Sequence, residues 1–235
     1  MLEQLKKRVC AANKSLPKYN LVTLTWGNVS EISNDRKYVV IKPSGVSYKT
    51  MKPSDMVVVD MKGRVVSGKL KPSVDVMIHL EIYKNFKNVR SVCHTHSTFA
   101  TAWAQAHKDI PALGTTHADS FNGDIPCTRK MNKKEINTNY ELNIGKVIVK
   151  EFKKRKLNPS DMPGILVDSH GPFTMGKSSK EAVENSVILE EVAKIAYISR
   201  TLEPKHVTSK IDKNLLKKHF NRKHGKNATY GQKII

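Results

Sequence analysis

Two histidines with one residue between them stand in Ser91-Val-Cys-His-Thr-His-Ser97. Read as a strand from Arg90 to His96, this stretch sends His94 and His96 to the same face, because side chains two apart on a strand point the same way. Paired imidazoles suit one metal ion. Taken alone, such a pair is more often two ordinary half-buried histidines.

Further polar groups gather where regular elements meet loops. His170 closes a strand, as His96 does, and Asp75 stands at a helix start. Together the residues at 94, 96, 170 and 75 make a His₃Asp set of the nitrogen and oxygen donors that zinc or another divalent ion accepts. Gly27-Asn28 and Ser44-Gly45 read as short loops with exposed backbone N–H groups, and Ser73 precedes a helix N-terminus, which attracts anions. With Lys42 they outline a phosphate cradle, although Gly, Ser and Asn also dominate ordinary turns. His79 lies four after Asp75 on the same helix face and reads either as a partner of that carboxylate or as packing. Nothing local demands His117, His219 or His224 at a site; His107 and His206 read as solvent residues, and Trp26 and Trp103 as core.

The elements that must position these groups are legible in outline. Leu2, Leu5, Val9 and Ala12 give residues 1–16 a helical face, which Pro17 ends. Strands are expected over Leu21–Ile32, Lys37–Lys42 and Met56–Met61, the last turning at Lys62-Gly63 into a hairpin with 64–67. Ser73 or Asp75 can cap a helix from Val76 to Phe86, and Ser97 one from Thr98 to Ala106. Residues 107–130 read as an irregular, Gly-, Thr-, His- and Asp-rich stretch, the kind of segment that carries function. Lys134–Lys156 is mainly helical, Gly164–Ser169 a short strand, Ser178 or Ser179 the start of a helix to about Thr201, Pro204 a break, and Asn214–His224 a last helix. The pattern predicts one α/β sandwich spanning 1–235, with a central, mostly antiparallel sheet flanked by helices.

The chain has 235 residues, enough for a sizeable core, and a formal net charge of +20. The basic residues are spread out, with concentrations at 153–156 and 205–233, and aromatics are not interleaved with them as a strand-stacking surface requires. Nucleic acid is therefore not the expected partner, and an anionic small substrate accounts for the charge. No apolar run reaches spanning length, and Met1–Leu16 has no signal-peptide core, so a cytoplasmic address is expected. The three cysteines are far apart without a CxxC, which argues against a disulfide framework and a cysteine zinc site.

Several motifs carry a closer likeness. They are Asn20-Leu-Val-Thr-Leu-Thr-Trp-Gly-Asn-Val-Ser30, Ile41-Lys-Pro-Ser-Gly-Val46, Cys93-His-Thr-His-Ser97, Gly114-Thr-Thr-His-Ala-Asp119, Ile125-Pro-Cys-Thr-Arg-Lys130, Ser169-His-Gly-Pro-Phe173, Leu189-Glu-Glu-Val-Ala193, Arg222-Lys-His-Gly225 and Tyr230-Gly-Gln232. The chain resembles the class II aldolase/epimerase superfamily and, through 114–119 and 230–232, its L-ribulose-5-phosphate 4-epimerase branch. The resemblance implies one Zn²⁺ per subunit on His94, His96 and His170 with Asp75 as a further ligand. It implies substrate phosphate at Asn28, Ser44, Gly45 and Ser73, and Asp119 and Tyr230 as the two acid/base groups. It also implies a homotetramer with interface active sites, in which Tyr230 and the basic tail 225–235 serve a neighbouring subunit. Val74 stands where the family has a second serine. It removes a hydroxyl from the phosphate site but keeps a backbone N–H.

The implied chemistry is inversion at carbon 4 of a ketopentose phosphate, interconverting L-ribulose 5-phosphate and D-xylulose 5-phosphate. The C4 hydrogen is not acidic, but carbon 4 is β to the C2 carbonyl, so the C3–C4 bond can break by a retro-aldol step given a Lewis acid. The retained aldehyde turns over and adds back, with one proton acceptor for each face of the C4 oxygen. An aldolase or dehydratase of the same fold is the alternative. Manganese or cobalt could replace zinc.

Overall fold

The computed structural model describes residues 2–202, 209–226 and 228–229. Helix α1 (Leu2–Ser15) buries Leu5, Val9 and Ala12 as the spacing predicts, and a 3-10 turn at Leu16–Tyr19 carries Pro17. The expected strand over Leu21–Ile32 shrinks to β1 (Asn28–Ile32). Residues before it cannot stay extended, since Asn20, Leu24 and Gly27 all take positive φ. Then come β2 (Tyr38–Ile41), β3 (Val57–Asp60), β4 (Val65–Ser67), α2 (Val76–Asn85), β5 (Ser91–His94) and α3 (Thr98–Gln105). The irregular stretch contains one short helix, α4 (Thr115–Ala118). The helical region that follows divides into α5 (Lys133–Asn137) and α6 (Tyr140–Lys154) around left-handed Asn139. β6 (Gly164–Val167) and β7 (Gly171–Gly176) lead into α7 (Ser179–Leu202), and α8 (Lys213–His224) closes the described chain. Pro204 lies outside the described residues.

The seven strands form one sheet in the order β4-β3-β2-β1-β5-β7-β6, with every strand pair antiparallel. Apolar residues alternate between two cores. Val39, Ile41, Val57, Val59 and Val92 face one, while Val29, Val40, Val58 and Cys93 face the other. Both faces are covered, which explains the near-continuous apolar runs in β2 and β3. Each fully buried Val or Ile contributes about 1.5–3 kcal/mol.

Two contacts fix the helix that begins beside Asp75. α2 packs along α6 so closely that a Cβ on Gly145 would come within 2.7 Å of Glu81 Cβ. At the other end, Arg36 holds the C-terminal turn of α2 through the Tyr83 carbonyl at 2.6 Å. α7 starts at the serines that the sequence marks. Ser178 Oγ accepts from the Glu181 N–H at 3.2 Å, and the Glu181 carboxylate accepts from the Lys177 N–H at 2.7 Å.

A candidate metal and phosphate site

His94 ends β5 at the middle of the sheet, paired with Asn28 on one side and Phe173 on the other. Its Nδ1 lies 2.9 Å from the Pro172 carbonyl. A carbonyl only accepts, so Nδ1 carries the proton and the Nε2 lone pair is free. That nitrogen faces His96 Nε2 at 3.1 Å. His96 itself is not on the strand: β5 ends at His94, and past it the Thr95 N–H still donates to the Pro172 carbonyl of β7 at 3.3 Å. The two rings stand side by side, centroids 4.8 Å apart, although only His94 belongs to the strand. His170 lies in the turn between β6 and β7, next to left-handed Ser169, and does not end a strand. Its ring is 4.8 Å from that of His94 and 5.1 Å from that of His96.

Ligand nitrogens of the three histidines lie within 4.8 Å of one another. Burial pushes the His94 pKa well below the ordinary value, and the neighbouring His170 and His96 add to the effect. Burial also lowers His96 and His170, opposed in each by Asp75. Neutral imidazoles with converging lone pairs are the ligand form. His170 Nδ1 and Asn28 Oδ1 are buried beside this cluster without a partner. The donor set fits a divalent cation. Close approach also constrains the floor: Gly27 has φ +80, and a Cβ there would come 2.7 Å from the His94 carbonyl.

The cluster shares one cavity of about 720 Å³ with Gly27, Asn28, Lys42, Ser44, Gly45, Ser73, Val74 and Asp75. Asp75 is the cap residue just before α2, but its carboxylate does not cap the helix. It turns to Asn28 Nδ2, 2.6 Å from Oδ2, with Ser73 Oγ at 3.4 Å. The Ser44 and Ser73 N–H groups are committed to the Lys71 and Lys42 carbonyls at 3.0 and 2.9 Å. The Gly45 and Val74 N–H groups have no acceptor among the described residues. Lys42 is buried. Its Nζ reaches the Thr25 and Pro43 carbonyls at 3.3 and 3.4 Å and lies 4.9 Å from the Tyr48 ring centre. It pins the two loops and places a positive charge behind them. Trp26, expected in the core, is 52% exposed on the cavity wall, its ring 6.0 Å from His96.

Asp119 is not brought to this cavity. It ends α4 and is held by α8, with His219 Nδ1 at 3.0 Å from Oδ1 and Arg222 at 3.2 Å from Oδ2. Partial burial raises its pKa, but these two hydrogen bonds and charges outweigh that and hold it below the ordinary value. His224 Nε2 meets the Asp119 carbonyl at 2.9 Å. Asp119, His219, Arg222 and His224 thus form a second polar cluster, and Tyr230 lies outside the described residues.

A profile of the class II aldolase and adducin N-terminal domain family matches residues 7–197. The chain belongs to this family. Solved structures agree on the fold. An L-fuculose 1-phosphate aldolase is 22% identical, with a TM-score of 0.76 over 92% of this chain and 94% of its own. The L-fuculose 1-phosphate aldolase of Glaciozyma antarctica PI12 is 19% identical, with a TM-score of 0.73 over 93% of this chain and 81% of its own. An aldolase II superfamily protein of Pseudomonas syringae is 15% identical, with a TM-score of 0.75 over 94% and 84%.

In this class II aldolase-type chain some functional groups escape a sequence reading. Ser97 stands at the cap position of α3 but makes no cap bond. The Glu190 carboxylate from α7 takes the Phe99 and Ala100 N–H groups instead, at 2.8 and 2.9 Å. Glu190 lies in the Leu189–Ala193 motif, but nothing local shows what it binds, since its partners are about ninety residues away. Gln105 and Tyr140 also line the cavity, each as one polar residue in an amphipathic helix. Among the described residues, no helix is long and apolar enough to cross a membrane.

Proposed function

We propose that this protein is a divalent-metal-dependent enzyme that breaks and remakes a carbon–carbon bond in a sugar phosphate. Its specific reaction is the interconversion of L-ribulose 5-phosphate and D-xylulose 5-phosphate. The observation that carries the proposal is the pairing, in one cavity, of three converging neutral imidazoles with two free loop N–H groups. A cavity of about 720 Å³ accommodates a pentose phosphate.

His94, His96 and His170 would hold the ion, zinc being the expected one, with Asp75 beside them. The chemistry such an ion supplies is Lewis acidity toward the ketose carbonyl. The Gly45 and Val74 N–H groups, the Ser44 and Ser73 hydroxyls and Asn28 hold the phosphate end, with Lys42 charge behind them. Retention of the phosphate keeps the aldehyde fragment in place while it presents its other face. Asp119 and Tyr230 hold and return the proton at the C4 oxygen, one for each face. Asp119 lies outside its own subunit's cavity, so in this reading it joins Tyr230 in serving the site of a neighbouring subunit of a tetramer.

The test is incubation of purified, zinc-loaded protein with L-ribulose 5-phosphate. D-xylulose 5-phosphate should accumulate. Release of free glycolaldehyde phosphate without the epimer would identify an aldolase instead.

A further inference from the structure

α3 starts just after His96 and Ser97 and ends against the turn that carries His170. Its last turn closes in a Schellman motif. The His107 N–H donates to the Ala104 carbonyl at 3.1 Å, and the Lys108 N–H to the Trp103 carbonyl at 3.2 Å. His107 takes the left-handed position of that motif, with φ +58. The same Ala104 carbonyl accepts the Ser169 N–H at 3.2 Å, which ties the end of α3 to the β6–β7 turn.

A side-chain bond joins the same two segments. His107 Nδ1 meets Asp168 Oδ1. A carboxylate only accepts, so Nδ1 carries the proton. Asp168 Oδ2 accepts from the Ser169 hydroxyl at 2.9 Å, and the Asp168 N–H donates to Thr128 Oγ1 at 3.0 Å. These bonds hold Ser169 in the left-handed region at φ +58. His170 follows directly, its N–H donating to the Val167 carbonyl at 3.0 Å. The Asp168 side chain is 6% exposed and that of His107 42%. The carboxylate has little access to water and depends on His107 and Ser169 for donors. The His107 ring lies largely outside the core, so its removal opens no cavity. The mechanism above gives neither residue a task, and the sequence marks His107 only as a solvent residue.

We propose that His107 and Asp168 are positioning residues. Their hydrogen bond clamps the β6–β7 turn to the end of α3 and sets where the His170 ring stands in the three-histidine cluster. The inference rests on reading that cluster as a divalent-metal centre. Without the His107 donor the Asp168 carboxylate turns toward solvent, the Ser169 hydroxyl loses its acceptor, and the strained turn relaxes with His170 attached. Removing groups that orient metal ligands weakens metal affinity roughly 10–100-fold, and a clamp acting through the turn belongs at the lower end.

Zn²⁺ affinity, measured by competition with a chromophoric chelator, should fall by about tenfold in His107→Gly. Glycine is favoured at this left-handed position, so urea unfolding of the metal-free variant should show stability close to or above that of wild type. A purely structural contact would not give lost affinity with kept stability. His107→Asn tolerates the left-handed position and carries an amide N–H on Cγ, where His107 carries Nδ1–H, so it should recover most of the affinity. Asp168→Ala should weaken zinc binding as His107→Gly does, and the two together no further. A folded His107→Gly with wild-type affinity overturns the proposal, as does a full second loss in the double variant. If Asp168→Ala does not fold, the gap between His107→Gly and His107→Asn decides, and equal affinities of the two overturn the proposal. Wild-type protein that binds no zinc, manganese or cobalt defeats the metal reading and this inference together. Wild-type binding with unaltered affinity in His107→Gly defeats the inference alone.

Discussion

Val74 is 65% exposed on the wall of the cavity proposed to hold phosphate, so exchanging it disturbs no core. Val74→Ser adds a hydroxyl beside a free N–H, and a hydrogen bond to a charged group contributes about 1.5–3 kcal/mol. Phosphate inhibition and KM should both improve by about tenfold or more, with kcat little changed; steady-state kinetics with inorganic phosphate as inhibitor checks this. The buried histidines predict a pH dependence of folding. His79 and His94 bind protons at the ordinary histidine pKa when unfolded, but only at about 3 and at a well-lowered value when folded. Their stabilisation is complete above about pH 6.5 and declines as pH falls below it, by roughly 1.4 kcal/mol per pH unit for each ring. Urea unfolding of metal-free protein between about pH 7.5 and 4.5 measures this, and a flat profile contradicts it. At this scale, His94, His96, His170, Asp75 and the loop residues that the sequence singles out share one cavity. It misassigned Trp26, because aromatic type alone does not reveal which side of a loop faces solvent.

α3 begins immediately after His96 and Ser97, and its N-terminus is held from α7 by Glu190. Glu190→Ala should cost about 1–2 kcal/mol in chemical denaturation, and Glu190→Gln roughly half of that, because a neutral acceptor remains. Loss of stability without loosening of His96 would show normal zinc affinity in the same variants. Elements with a clean period were legible: α1, the β3–β4 hairpin and the start of α7 lie where their residues indicate. Those missed or misplaced depend on distant partners or on positive φ. β7 is hidden by Pro172 and by glycines at both ends, and becomes a strand because β5 and β6 flank it. The break between α5 and α6 rests on a left-handed Asn139, which no hydrophobic period records.

For the whole molecule, the separation of Asp119 from the histidine cavity has a direct consequence. If each site draws on two subunits, mixed oligomers of His94→Ala and Tyr230→Phe chains should regain activity that neither variant has alone, up to roughly a quarter of sites in a random mixture. Co-expression followed by assay checks it, and persistent inactivity in verified mixed tetramers counts against shared sites. The antiparallel α/β sandwich was readable from the alternation of strand and helix patterns, whereas strand order was not, because it is set by contacts far apart in sequence. That order also bears on synthesis. β5 sits between β1 and β7, so until Gly171–Gly176 leaves the ribosome the strand bearing His94 is an open, apolar edge. Chains truncated before β7 should therefore pair edge to edge and aggregate, and the histidine cluster should close only late in translation, after the longest-range strand joins.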